Sequence, residues 1–310
     1  MLSRRFLRIK ALKALYSHAC SHEQQLLRTQ KNMLFSVQKS YELYPILMNL
    51  CVEVSKYSKI VVELNKKKFF KTEQDINPNM YLVNNRIVKM IAENEYLNKA
   101  LEDSTFSWED NDDIIKKIYT RMSNREYYKR YVQAEDSFEN DKEFLKNFYR
   151  KEVEDFEPLY ERIEEVSVYW YDDIEFITCK CLSNIFEIKE NTGLRPYPVY
   201  QKDEDRDFVI NLLAYSIKDM DKNIESIKGL LKNWEIERVA LMDKLAISLA
   251  MTEINHFPLI PVNVILNEYI EVTKFYSTPN SGVFVNGILD KYISSLKSHD
   301  ALNKTGKGLE

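Results

Sequence analysis

The chain is poor in residues that interrupt regular structure, with six glycines and eight prolines in 310 positions, as helical proteins tend to be. No run approaches the roughly 18 uninterrupted apolar residues of a membrane span, so no transmembrane segment is expected. Cysteine is scarce: Cys20, Cys51, Cys179 and Cys181. Cys179-Lys180-Cys181 lacks the two-residue gap of common metal and redox pairs, and no histidine lies near it. Scattered cysteines in a chain this long are expected to be buried thiols of a reducing compartment. His18 and His22 stand four apart on one helix face, but HACSH offers no carboxylate third ligand, and a surface pair is expected rather than a metal site. Excess positive charge is also missing. The net charge is −4, so any nucleic-acid footprint must be local. Glycine-rich phosphate loops, nucleophile elbows and metal clusters are absent. That leaves a binding module as the default, with no enzyme activity and no cofactor expected.

What is present is helix. Hydrophobic residues make up 45% of the chain and charged residues 30%, enough for one large or two moderate domains. Residues 2–19 form an amphipathic pattern. Leu7, Ala11, Leu15 and Ala19 recur every four residues, and Arg4, Arg5, Arg8, Lys10 and Lys13 occupy the other faces. No acid occurs before Glu23. Such a helix can be a phosphate-binding surface, an organellar transit peptide or a solvated face. Residues 24–64 continue at helical spacing, with Pro45 as a kink or start. Lys66-Lys67-Lys68 closes them, either as a second basic patch or as a solvated helix end. A polar linker, 71–78, leads to an expected helix over 79–101. YTRMSNREYYKRY interleaves basic and aromatic residues, as RNA surfaces do, but half-buried tyrosines on a bundle explain it better. Glu152, Glu154, Asp155, Glu157, Glu161, Glu164 and Glu165 form an acidic run. Glu161 and Glu165 are four apart without a Glu-x-x-His partner, so a solvated face is expected. Tyr169-Trp170-Tyr171 reads as core packing. The longest loop signal, 191–207, marks a fold boundary. After an expected helix over 208–231, residues 235–254 are apolar on nearly every side, the pattern of a central buried helix, with Glu237 and Asp243 as its informative polar residues.

The stretch that organises the chain is 260–296, IPVNVILNEYIEVTKFYSTPNSGVFVNGILDKYISSL. Pro261 suits a first helical turn, and Val262, Ile265, Tyr269 and Val272 mark one buried face. Ser277-Thr278-Pro279 ends that helix, and Asn280 or Ser281 can cap the next. Val285, Ile288 or Leu289, Tyr292 and Leu296 form the second buried face. Phe284 stands one residue ahead of this apolar series. Asn286-Gly287 sits mid-helix, where glycine costs about 1 kcal/mol relative to alanine. Packing accounts for the pair if Gly287 admits a neighbouring helix and Asn286 bonds a nearby backbone group.

These residues carry a resemblance. Asn267-Glu268, Ile270-Glu271, Lys274-Phe275, Ser281, Phe284-Val285-Asn286-Gly287 and Leu289-Asp290-Lys291 resemble the C-terminal signature of the NusB antitermination family. RRFLRIKALKALYSH resembles its N-terminal pattern, and a match at both ends sets the transit peptide aside. The resemblance covers residues 3–19 and about 205–296. It implies an all-α fold, a NusB-like double helical bundle carrying a large helical insertion. The expected division is a basic helix over 1–20, a mostly helical insertion over 21–204, a C-terminal bundle over 205–298 and a disordered tail over 299–310. Residues 24–64 are left open as part of the first bundle.

The resemblance further implies a cytoplasmic RNA-binding antitermination factor. Such a factor pairs with NusE, a small-subunit ribosomal protein, and binds boxA-type single-stranded RNA on ribosomal RNA operons within the RNA polymerase antitermination complex. Carried onto this chain, Arg4, Arg5 and Arg8 would contact phosphate. Phe284 would stack a base, and Asn280 and Ser281 would offer a helix N-terminus to phosphate. Tyr16, Glu237 and Asp243 would face the partner. Two departures stand out: some relatives have an acid where Asn280 stands, and the lysine that often precedes the family's phenylalanine is Val283. A helical protein-interaction scaffold without RNA binding is the alternative. An RNA-modifying enzyme is disfavoured because no glycine-rich cofactor loop occurs.

Overall fold

The computed structural model describes residues 3–21, 25–154, 156–231 and 235–305. His22, Glu23, Asp155 and residues 306–310, which figure in the expectations above, lie outside the described residues. The architecture is all-α. In chain order the helices are α1 Arg4–Cys20, α2 Leu26–Lys66, α3 Glu73–Ile76, α4 Tyr81–Asn84, α5 Arg86–Ala92, α6 Glu95–Glu102, α7 Asp112–Ser123 and α8 Glu126–Gln133. They continue as α9 Phe138–Phe148, α10 Glu157–Val166, α11 Ile174–Glu187, α12 Asp203–Lys218, α13 Met220–Leu230, α14 Leu241–His256, α15 Val262–Tyr276 and α16 Ser281–Ser298. Short 3-10 turns precede α7 (Glu109–Asn111) and α14 (Ile236–Arg238), and a π-helical turn, Tyr149–Val153, follows α9. Among the described residues no strand forms, and one isolated bridge pairs Lys189 with Gly193.

The chain separates into two compact units. One is Gln38–Val199; the other joins Leu2–Val37 to Tyr200–Glu310. In the second, α14 is the central helix. Every residue from Leu245 to Ile254 is buried, and α1, α12, α13, α15 and α16 all pack on it. Its nearly all-round apolar sequence allows this, because no face needs water. Helix α1 is started by Ser3, whose hydroxyl accepts the Phe6 N–H at 3.3 Å. Its Leu7, Ala11, Leu12 and Leu15 are buried. The α15–α16 hairpin closes tightly where Gly282 faces α15. A Cβ there would lie 3.5 Å from Lys274 Cγ and 3.7 Å from the Ile270 carbonyl oxygen.

In the Gln38–Val199 unit, aromatic donors converge on the α2 backbone. Trp108 Nε1 donates to the Ile46 carbonyl at 3.1 Å, and Trp170 Nε1 to that of Lys39 at 2.6 Å. The buried Tyr149 hydroxyl lies 3.0 Å from the Leu47 and Met48 carbonyls and shares its proton between them. Pro45 stays inside the continuous α2, although its ring cannot donate to the Tyr41 carbonyl one turn back.

Several expectations change. The helix expected over 79–101 is three, because Asn85 and Asn94 cap new starts. Asn85 accepts from the Ile87 and Val88 N–H groups, and Asn94 from that of Leu97, satisfying donors that helix starts leave free. The helix expected over 208–231 is likewise divided at Asp219. Of Tyr169-Trp170-Tyr171, only Trp170 is core. Glu152 is not on a solvated face but fully buried, 2.9 Å from Arg121 Nε. Burial pushes its carboxyl above the usual range although Arg121 and Arg125 pull the other way. His18 is no surface residue: it is buried and meets Thr29 Oγ1 at 2.9 Å. Cys51 and Cys181 are buried, but Cys20 and Cys179 are exposed. The tail expected to be disordered is seated through residue 305: Thr305 N–H donates to the Pro258 carbonyl at 3.1 Å, and Lys304 Nζ to that of Phe257 at 2.9 Å.

Candidate nucleic-acid interface

The arginines of α1 fall into two classes. Helical spacing turns Arg4 and Arg5 outward, with 42% and 50% of their side chains exposed. Arg4 Nε donates to Asp205 Oδ1 at 2.9 Å, and its guanidinium lies over the Phe208 ring. Arg5 holds Glu268 with two 2.9 Å bonds. The Arg5–Glu268 pair lies at the surface, where such pairs contribute only about 0.2–1 kcal/mol, so a phosphate can displace its carboxylate at small cost. Asp205 is buried, and drawing Arg4 away leaves that carboxylate unpaired at a higher cost.

Arg8 is different, and its assignment as a phosphate contact is corrected. It is 3% exposed. Its Nε donates to Glu253 Oε2 at 2.9 Å and its Nη2 to Oε1 of the same fully buried carboxylate. Tyr269 adds a hydroxyl to Glu253 Oε2 at 2.9 Å. Burial pushes the guanidinium toward neutrality, but the Glu253 hydrogen bond and charge outweigh it and hold the proton more tightly than usual. Burial and the adjacent carboxylate likewise keep the Tyr269 hydroxyl protonated far above its ordinary range. This is a core ion pair tying α1 to α14 and α15. The residue that sequence reasoning missed is Glu253. Its signal was available: it is the only acid between Leu245 and Ile254, in a helix too apolar to leave a charge unpartnered.

The start of α16 also rearranges the expectations. Asn280 is exposed at the N-cap and makes no side-chain cap bond. Ser281 is buried, and its hydroxyl donates to Asp243 Oδ2 at 2.8 Å while accepting the Thr278 N–H at 3.1 Å. Ser281 as an RNA contact is corrected, because its hydroxyl is spent on Asp243 and Thr278. Asp243 binds that hydroxyl through Oδ2 only, and its buried Oδ1 has no hydrogen-bond partner among the described residues. Asp243 is only 5% exposed, so a lysine placed there tests the fold before it tests any interface. Its carboxylate also supplies the negative charge that the α16 N-terminus attracts. Phe284 is half-buried on the first turn of α16. Of the residues expected to face a partner, Tyr16 on α1 and Glu237 in the turn before α14 are exposed.

The Asn286-Gly287 pair behaves otherwise than packing suggested. Gly287 is exposed, and nothing lies within 4 Å of where its Cβ would be. Asn286 Nδ2 donates to Asp290 Oδ2 at 3.2 Å on its own helix. Phe275 near the end of α15 and Val283 in the first turn of α16 are also exposed. Among the described residues no cluster of histidine, cysteine and acids fits a metal ion, and no helix is long and apolar enough to cross a membrane.

Comparison with known proteins agrees with this layout. The NusB family profile matches residues 185–294. A protein named transcription antitermination protein NusB from Salinibacter ruber is 40% identical over 112 residues, covering 36% of this chain and 70% of that protein. Its namesake from Chloroherpeton thalassium is 38% identical over 120 residues, covering 38% and 56%. That from Clostridium botulinum strain Kyoto is 34% identical over 118 residues, covering 37% and 82%. No solved structure matches the chain. With the signature residues on α15 and α16, and with relatives matched over most of their own length, the chain belongs to the NusB family.

Proposed function

We propose that this chain is a transcription antitermination factor that binds boxA-type single-stranded RNA and pairs with NusE, within the RNA polymerase antitermination complex of the cytoplasm, as a non-enzymatic binding protein. The observation that carries the RNA reading is the pair of outward guanidinium groups on α1, Arg4 and Arg5, on a helix whose described residues include no acid. Phosphate contacts supply affinity and its salt dependence. Phe284, half-buried at the start of α16, supplies a ring on which a splayed base can stack. Asn280, the exposed N-cap, offers an amide to the same strand. Tyr16 and Glu237 are the exposed residues of the partner face.

The test is RNA binding as a function of salt. Arg4→Ala with Arg5→Ala is expected to weaken binding and make the salt slope shallower by about 0.7 per lost contact. Phe284→Ala is expected to cost about 1–3 kcal/mol through stacking with the slope unchanged. An arginine variant that binds with an unaltered slope refutes the phosphate surface. A folded Phe284→Ala protein that binds like the parent removes Phe284 from it.

A further inference from the structure

A second basic and aromatic feature lies in the Gln38–Val199 unit, where α2 ends. The sequence there is Lys66-Lys67-Lys68-Phe69-Phe70-Lys71, acid-free between Glu63 and Glu73. Phe69 is 93% exposed and Phe70 86%. Phenyl rings left in water carry a hydration cost that invites an apolar partner. The two rings touch edge to face, 5.0 Å apart at 83°, so at least one face of each stays open. The base of the loop is tied down: Asp75 accepts the Thr72 N–H at 2.9 Å and hydroxyl at 2.8 Å, and Lys68 reaches it at 3.4 Å. Among the described residues, Lys66, Lys67 and Lys71 stand exposed with no carboxylate partner.

We propose that the Lys66–Lys71 loop is a contact for single-stranded RNA, with Lys66, Lys67 and Lys71 on phosphates and Phe69 and Phe70 stacking bases. This rests on the reading of the chain as an RNA-binding protein and adds a contact outside the family-matched region. The chemistry selects the ligand. Lysines call for a polyanion, and open phenyl faces call for planar apolar groups; unpaired nucleotides present both at every step. Duplex RNA hides its base faces. A lipid surface prefers a helix with charge and apolar groups on opposite sides. Here the rings sit beyond the end of α2, in non-helical backbone, with lysines on both sides of them in the chain.

The experiment is fluorescence anisotropy of the full chain with a short labelled single-stranded RNA and the matching duplex, across salt. Phe69→Ala with Phe70→Ala is expected to weaken single-strand binding about tenfold or more, with the salt slope and duplex binding unchanged. Changing Lys66, Lys67 and Lys71 to Gln is expected to lower the salt slope by about 2. All these side chains are exposed, so circular dichroism melts should match the parent. If both loop variants bind like the parent while the Arg4→Ala, Arg5→Ala variant fails, this inference falls and the proposed function stands. If the loop variants fail and the arginine variant does not, the loop contact stands and the α1 surface falls. A parent chain that binds no RNA overturns both. Phosphatidylglycerol vesicles captured by the parent but not by the phenylalanine variant, with RNA binding equal in the two, assign the rings to lipid and overturn the proposal.

Discussion

Replacing Arg8 by alanine separates the core reading of α1 from the surface reading. The substitution leaves the Glu253 carboxylate, 0% exposed, with the Tyr269 hydroxyl as its remaining hydrogen-bond donor. Removing one member of a buried ion pair costs about 3–5 kcal/mol, because the remaining charge keeps its desolvation penalty. A domain of 150–250 residues shifts by about 2–4 °C per kcal/mol, so a fall of roughly 6–20 °C is expected. Arg8→Met with Glu253→Leu removes both charges and replaces them with apolar volume, an exchange that is often neutral or stabilising. Only the Tyr269 hydroxyl then lacks a partner, at about 1–3 kcal/mol, so the double variant should melt above the single one. Thermal melts compare the three proteins, and hydrogen–deuterium exchange on peptides of α1 and α14 assigns the loss to this unit. An Arg8→Ala protein melting within about 2 °C of the parent refutes the core ion pair. So does a double variant no better than the single one. A stable Arg8→Ala protein with weakened RNA binding returns Arg8 to the phosphate surface.

Three further outcomes follow from local geometry. Gly287→Ala should stabilise α16 by about 0.5–1 kcal/mol, since the site is open and glycine is unfavourable mid-helix; urea denaturation reads it, and a destabilised variant shows the site is crowded. Ser281→Ala leaves the buried Asp243 carboxylate without its Oδ2 donor and should cost about 1–3 kcal/mol, seen as a lowered melting temperature; an unchanged value shows that water or another donor replaces the hydroxyl. Burial lowers the Lys304 amine from 10.5 to about 8, so between those values the unfolded chain holds more proton and the folded state gains stability as pH rises. The parent should therefore gain in melting temperature over Lys304→Met from pH 8 to 10, and a parallel pH dependence of the two refutes it.

The all-α class, the buried α14 and the two final helices were legible because each rests on a periodic apolar pattern, which a sequence displays directly. Helix ends inside the 79–101 segment were not. Asn85 and Asn94 restart helices by capping, and an asparagine mid-pattern looks the same whether it caps or faces water. The functional residues divide along similar lines. Arg4 and Arg5 could be placed outward from periodicity alone. Arg8 could not, because its polar position on α1 is also the one that meets α14 and α15, and only Glu253, the one acid in the buried stretch Leu245–Ile254, tells the two fates apart. Asp243 and Ser281 show the same ambiguity from both ends. Thirty-eight positions apart in the chain, each looked like a polar residue awaiting an outside partner. A charged or hydroxylic residue on an apolar helix is evidence that a partner exists, and charge balance within the fold must be exhausted before that partner is sought outside it. Applied to α1, this criterion leaves Arg5 as the guanidinium whose carboxylate partner a phosphate can displace at lowest cost, while Arg4 answers in part to the buried Asp205.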